Sequence, residues 1–134
     1  MREIIYSNFN KLNLHDSKLV SFALTDSQDE NGGDEGCFVL RIQRLDSQAQ
    51  NSYSPLQIIF TECAYIKIEM DIAVFAMCSH DIAGTSCNRE TPLLKELIAQ
   101  GDPAYHDKLQ FTIALIPPSG RIDVVAKDFR LKQI

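Results

Sequence analysis

The chain has no tryptophan and only three histidines in 134 residues. It also lacks any apolar run near the ~20 residues a membrane-crossing helix needs. The longest run, Ile72 to Cys78, falls far short of that. The N-terminus, Met1-Arg2-Glu3-Ile4-Ile5-Tyr6-Ser7-Asn8, has no apolar core of a secretory signal. These absences argue for a cytoplasmic chain that neither spans nor binds a membrane. Lys and Arg number 13 and are scattered, and the net charge is −5. Nucleic acid, which needs clustered cations, is therefore a poor candidate partner. Cys37, Cys63, Cys78 and Cys87 match no zinc-type spacing. A chain of this size builds a core without disulfides, so four free and mostly buried thiols are expected. There is no G-x-S-x-G elbow, no P-loop and no G-x-G-x-x-G. No cofactor is expected.

What is present is alternation. Hydrophobic residues make up 45% and charged residues 23%, ordinary usage for one globular domain, residues 1–134. Lys18 to Thr25 alternates with Val20, Phe22 and Leu24 on one face. Cys37 to Leu45 places Phe38, Leu40 and Ile42 together. Leu56 to Phe60 is a third strand. In Tyr65 to Asp71, Ile66, Ile68 and Met70 alternate with Lys67, Glu69 and Asp71, so one face is buried and the other wet. Ile72 to Asn88 is less legible: a strand end, a bulge or a short helix fits its first half, and Ile82 to Cys87 a short strand. Thr91-Pro92 caps and opens one helix, about 92–100, whose Leu93, Leu94, Leu97 and Ile98 share a face. Leu109 to Leu115 and Ile122 to Ala126 form a closing hairpin around Pro117-Pro118-Ser119-Gly120. The sum is a mainly β (α+β) fold: a curved antiparallel sheet or sandwich of five to seven strands with one short helix.

All three histidines precede an aspartate: His15-Asp16, His80-Asp81 and His106-Asp107. Both residue types ligate divalent ions, which makes His15, His80 and His106 the metal candidates. Neighbouring side chains in a strand point to opposite faces, however, and a turn- or strand-capping role for each Asp is the stronger expectation. His15, Asp16 and Ser17 are accordingly read as a structural motif. Cys78 and His80 could pair as nucleophile and base, but a thiol inside an apolar run is inert. Glu69 and Asp71 share a strand face at roughly 7 Å, from about 3.3 Å per residue. Lys67 beside them makes a solvated stripe the better reading of that pair.

The segment Leu14-His15-Asp16-Ser17-Lys18-Leu19 leads into the first strand. With Leu56–Phe60 and the closing Leu115–Ile122 hairpin, it resembles a loose group of small bacterial β-rich proteins. Some members of that group look like immunity proteins of toxin systems. The resemblance implies a binding role and carries no active site. The loop Asp26 to Gly36 holds Asp26, Asp29, Glu30, Asp34 and Glu35, which suits a basic protein partner. The expected function is a non-enzymatic protein-binding domain, immunity-like. The alternative is a small metal-dependent or hydrolytic enzyme using the His-Asp pairs. The long strands at Tyr65–Asp71 and Leu109–Leu115 invite pairing at an edge, so a homodimer is slightly favoured.

Overall fold

The computed structural model describes residues 2–24, 38–47, 49–70, 80–101, 103–117 and 120–133. Helix α1 (Arg2–Asn10) comes first, then β1 (Lys18–Leu24), β2 (Phe38–Ser47), β3 (Ser52–Thr61), β4 (Tyr65–Met70) and β5 (His80–Asn88). Helix α2 (Pro92–Ala99) and a 3-10 turn (Pro103–Tyr105) lead to β6 (Leu109–Leu115), β7 (Gly120–Ala126) and β8 (Asp128–Gln133). All pairings are antiparallel, in the order β4-β7-β6-β5-β1-β2-β3-β8. The mainly β, antiparallel architecture is as the sequence implies. The count differs: the described residues hold eight strands and two α-helices, where five to seven strands and one helix were expected.

The two unexpected elements draw little on local propensity. In α1, REIIYSNFN, the apolar pattern is thin and asparagine is a weak helix former. The helix forms because its end is held: Phe9 is fully buried and Asn10 is bonded to a strand. In β8, DFRLKQ, charged residues dominate, and the strand is an outer edge. Its register against β3, from Leu56↔Gln133 to Thr61↔Asp128, defines it.

The eight strands form two halves joined at a narrow seam. Among the described residues, β1 meets β5 only at Lys18↔Asp81 and Leu19↔His80. On either side, β1-β2-β3-β8 and β5-β6-β7-β4 fold toward each other, and Phe60 of β3 lies 5.2 Å from Phe111 of β6, ring centre to ring centre. Phe9 of α1 inserts between the halves, edge-on to Phe111 and Phe129 at 4.9 Å each. At the far corner β3 continues into β4 and β7 into β8. That corner is tied by Lys127 N–H to the Thr61 carbonyl at 3.1 Å and Ala64 N–H to the Val125 carbonyl at 2.7 Å. Phe38, Leu40 and Ile42 of β2, Phe111 and Ile113 of β6, and Ile122 and Val124 of β7 fill the space between. A second, smaller cluster lies on the outside of the β5-β6-β7-β4 half, where Leu94 and Leu97 of α2 cover Val125 and Tyr65.

β1 departs from simple alternation. Leu19 pairs with Ile42 and Ser21 with Arg41, so Val20 is an extra, bulged residue. The slip puts the buried Leu19 in the core-facing row and leaves Val20 52% and Leu24 73% exposed. β4 follows its expected alternation, with Ile66 and Met70 against the core and Lys67 and Glu69 in solvent. Ile68 is 37% exposed because β4 is the last strand on its side. Cys87 is free and buried. Cys63, against expectation, is disulfide-bonded. Cys37, Cys78 and the apolar run Ile72 to Cys78 lie outside the described residues. No helix among the described residues is long and apolar enough to cross a membrane.

Candidate functional site

The structure separates the three His-Asp pairs into two places. The first two are neighbours at the seam. Asp16 N–H bonds to the Ile82 carbonyl at 2.9 Å and Ile82 N–H returns to the Ser17 carbonyl at 2.7 Å, so the Leu14–Ser17 turn pairs with the start of β5. His106 lies at the other end of the β5-β6 pair, in the turn that precedes Leu109. Among the described residues no group of three His, Cys, Asp or Glu side chains could hold a metal ion.

Each aspartate has its own local surroundings. Asp16 adopts φ +66°, a left-handed conformation Asp tolerates, and its carboxylate lies 3.1 Å from His15 Nδ1. His15 is largely exposed and borders a hollow of about 270 Å³ shared with Asn13 and Asp46. Asp107 is paired with Lys108 Nζ at 3.1 Å, and that hydrogen bond holds its carboxyl below the ordinary carboxylate range. Asp81 keeps Oδ1 buried without a hydrogen-bond partner, while its carbonyl accepts from Ile116 N–H at 2.9 Å. Ser17 is the most buried member of the Leu14–Ser17 turn, and its hydroxyl accepts the Leu45 N–H at 3.0 Å. The segment thus ties α1, β1, β2 and β5 together. Asp26, Asp29, Glu30, Asp34 and Glu35 lie outside the described residues.

A cleft of about 870 Å³ opens between α1 and α2 across the end of β5. α1 contributes Arg2, Glu3 and Tyr6. The β5–α2 connection supplies Arg89 and Glu90, and α2 presents Lys95, with His106 at the floor's edge. Beyond the buried Phe9, one polar side chain fixes the end of α1. Asn10 brackets the Cys87 backbone, donating Nδ2–H to its carbonyl at 3.0 Å and accepting its N–H on Oδ1 at 2.8 Å. α2 is positioned by Thr91, whose hydroxyl accepts the Leu94 N–H at 3.0 Å and lies 2.6 Å from Gln110 Oε1. At the mouth, the Arg89 guanidinium lies over the Tyr6 ring, 4.7 Å from its centre, and bonds Glu3 Oε1 at 3.2 Å. Arg2 donates from Nη2 to the Lys108 carbonyl at 3.1 Å, while its Nε is buried without a partner.

Behind the cleft runs a second polar group, on the outer face of β6 and β7. The buried Asp123 carboxylate accepts from Gln110 Nε2 at 3.0 Å, Thr112 Oγ1 at 2.7 Å and both Nε and Nη2 of Arg121 at 2.9 and 2.8 Å. Burial pushes this carboxyl up. The donors from Arg121, Thr112 and Gln110 outweigh burial and leave its pKa below the ordinary value. With Thr91 bonded to Gln110, this relay runs from the cap of α2 to the face of β7. Burial also pushes the Cys87 thiol up to about 12, against the weaker pull of Arg2 and Arg89. A thiol so placed is not a nucleophile at neutral pH.

Arg2, Glu3, Tyr6, Arg89 and Lys95 were not legible as a site in the sequence. Ile5 and Phe9, one helical turn apart, are the signal that could have found α1 and with it half of the cleft. In comparisons with family models, curated proteins and solved structures, nothing matches this chain.

Proposed function

We propose that this chain is a non-enzymatic protein-binding domain, immunity-like in role, that engages its partner through the cleft between α1 and α2. One observation carries the reading: Arg89, Tyr6 and Glu3 are locked together at the mouth of an open 870 Å³ cleft. Tyrosine and arginine dominate the energetics of protein interfaces, because each offers a large rigid surface with a polar end. Holding Arg89 in place before contact removes part of the entropy cost of binding. The acidic segment Asp26–Gly36 favours a basic partner, whose approach it would accelerate. The resemblance at Leu14–Leu19 points to the same class of role.

The test is affinity capture from the native source, using wild type, Arg89→Ala, and a variant with Asp26, Asp29, Glu30, Asp34 and Glu35 changed to Ser or Gln. The expected result is one basic protein held by wild type, lost with Arg89→Ala and slowed in association by the loop variant. Identical capture by all three sinks the reading. Metal analysis of the purified protein addresses the enzyme alternative. A stoichiometric ion that is lost on His15→Ala or His106→Ala would replace the binding proposal with a metal-dependent one.

A further inference from the structure

We infer that β4 is the dimerisation edge of this protein, and that its occupant is β4 of a second copy paired antiparallel about a two-fold axis through Ile68. Among the described residues, β4 pairs with β7 on one side and ends the sheet on the other. Such an edge offers unpaired backbone groups, and charged side chains on an edge ordinarily repel an incoming strand. Here the charges are arranged so that a copy of the same strand is a partner they attract.

Register and face decide this. In a two-fold antiparallel pair centred on Ile68, Ile68 meets its own counterpart, Ile66 meets Met70 of the second copy, and Lys67 meets Glu69 of the second copy. Directly opposed residues share a face. Ile66 and Met70 already lie toward the core, and Ile68, in the same row, is 37% exposed and would be covered. On the other face the match extends past the edge. Lys67 pairs across the sheet with Asp123, and Glu69 with Arg121. The joined rows would read Asp123, Lys67, Glu69 of the copy, Arg121 of the copy: four charges of alternating sign. No other centre on β4 pairs its two charges with opposite ones. A shift by one residue would set Lys67 or Glu69 against itself across the axis. In the isolated chain Lys67 Nζ lies 2.9 Å from Glu69 Oε1, both exposed. Dimerisation would exchange the two contacts within strands, one in each copy, for two equivalent contacts between strands. The interface is isologous and closes, so it stops at two copies.

The experiment uses the full chain and charge reversal at exposed positions, with circular dichroism to confirm folding. Wild type, Lys67→Glu, Glu69→Lys and a one-to-one mixture of the two variants are compared by sedimentation and light scattering. Wild type is expected to be a dimer. Each single variant should weaken the dimer by roughly tenfold or more, since two symmetric pairs change from attraction to repulsion. The mixture should associate again, because each variant carries the charge sign the other needs. A monomeric wild type at millimolar concentration overturns the inference. So does a dimer that both single variants leave intact, or a mixture that stays as dissociated as its components.

Discussion

At the residue scale, the informative side chains are buried polar ones. Asp123 accepts four hydrogen bonds and sits where no solvent could replace them. Its folded-state pKa is below the unfolded value near 3.9. The stability this contributes is therefore present above about pH 4 and is lost as pH falls through the folded-state pKa. Asp123→Asn is expected to remove that part of the acid dependence and to lower stability at neutral pH by about 2 kcal/mol, the scale of hydrogen bonds to a charged group. Urea titrations of both proteins across the acid range check it; parallel pH profiles would contradict it. Nothing in the sequence pointed to Asp123, because one Asp in the strand GRIDVVA reads as an ordinary wet-face residue. Its importance comes from neighbours that β6 brings across the sheet. The Leu14–Ser17 turn was singled out in the sequence. Its residues stand out as a motif, yet the sequence drew attention to His15 and Asp16, whereas the fully buried member is Ser17.

At the scale of elements, strands with strict alternation were legible and elements held by one distant contact were not. β2, β4, β6 and β7 lie where period-two patterning placed them. α2 also does, because Thr91-Pro92 carries its own start signal. The bulge at Val20 is invisible in sequence, since KLVSFAL reads as an unbroken alternation with Val20, Phe22 and Leu24 as its apolar face. Turn chemistry was partly legible. Gly120 was assigned to the closing turn, and in the structure it begins β7 at φ +124°. It faces Met70 of β4, and any side chain there would collide with the Glu69 backbone carbonyl. Gly120→Ala is thus expected to cost more than the ~1 kcal/mol of an ordinary glycine replacement, because β4 must move away. Thermal unfolding should show it, and amide exchange should rise first in β4. A variant as stable as wild type would mean the edge strand yields freely.

At the scale of the whole molecule, the aromatic cluster joins two half-sheets that share few backbone bonds. Phe9 touches rings from both: Phe60 and Phe129 on one side, Phe111 on the other. Truncating it to alanine should cost about 3–5 kcal/mol, within reach of the total stability of a domain this size. A urea midpoint that barely moves would show that the halves hold together without α1. The gross class of fold was readable from patterning, since alternation reports burial on one face. The strand order was not, because it depends on which strands are non-sequential neighbours.

The pairing of β8 with β3 also bears on how the chain is made. On a ribosome, β3 emerges long before β8, so its Ile58-Ile59-Phe60 edge waits while four further strands are translated. β2 can zip onto one side of it at once, but the other side stays open. A refolding chain in a test tube meets all its strands together, whereas the nascent chain carries an adhesive margin through most of its synthesis. Slow translation of the segment between β3 and β8 should therefore lower the soluble yield, even though the finished protein is unchanged.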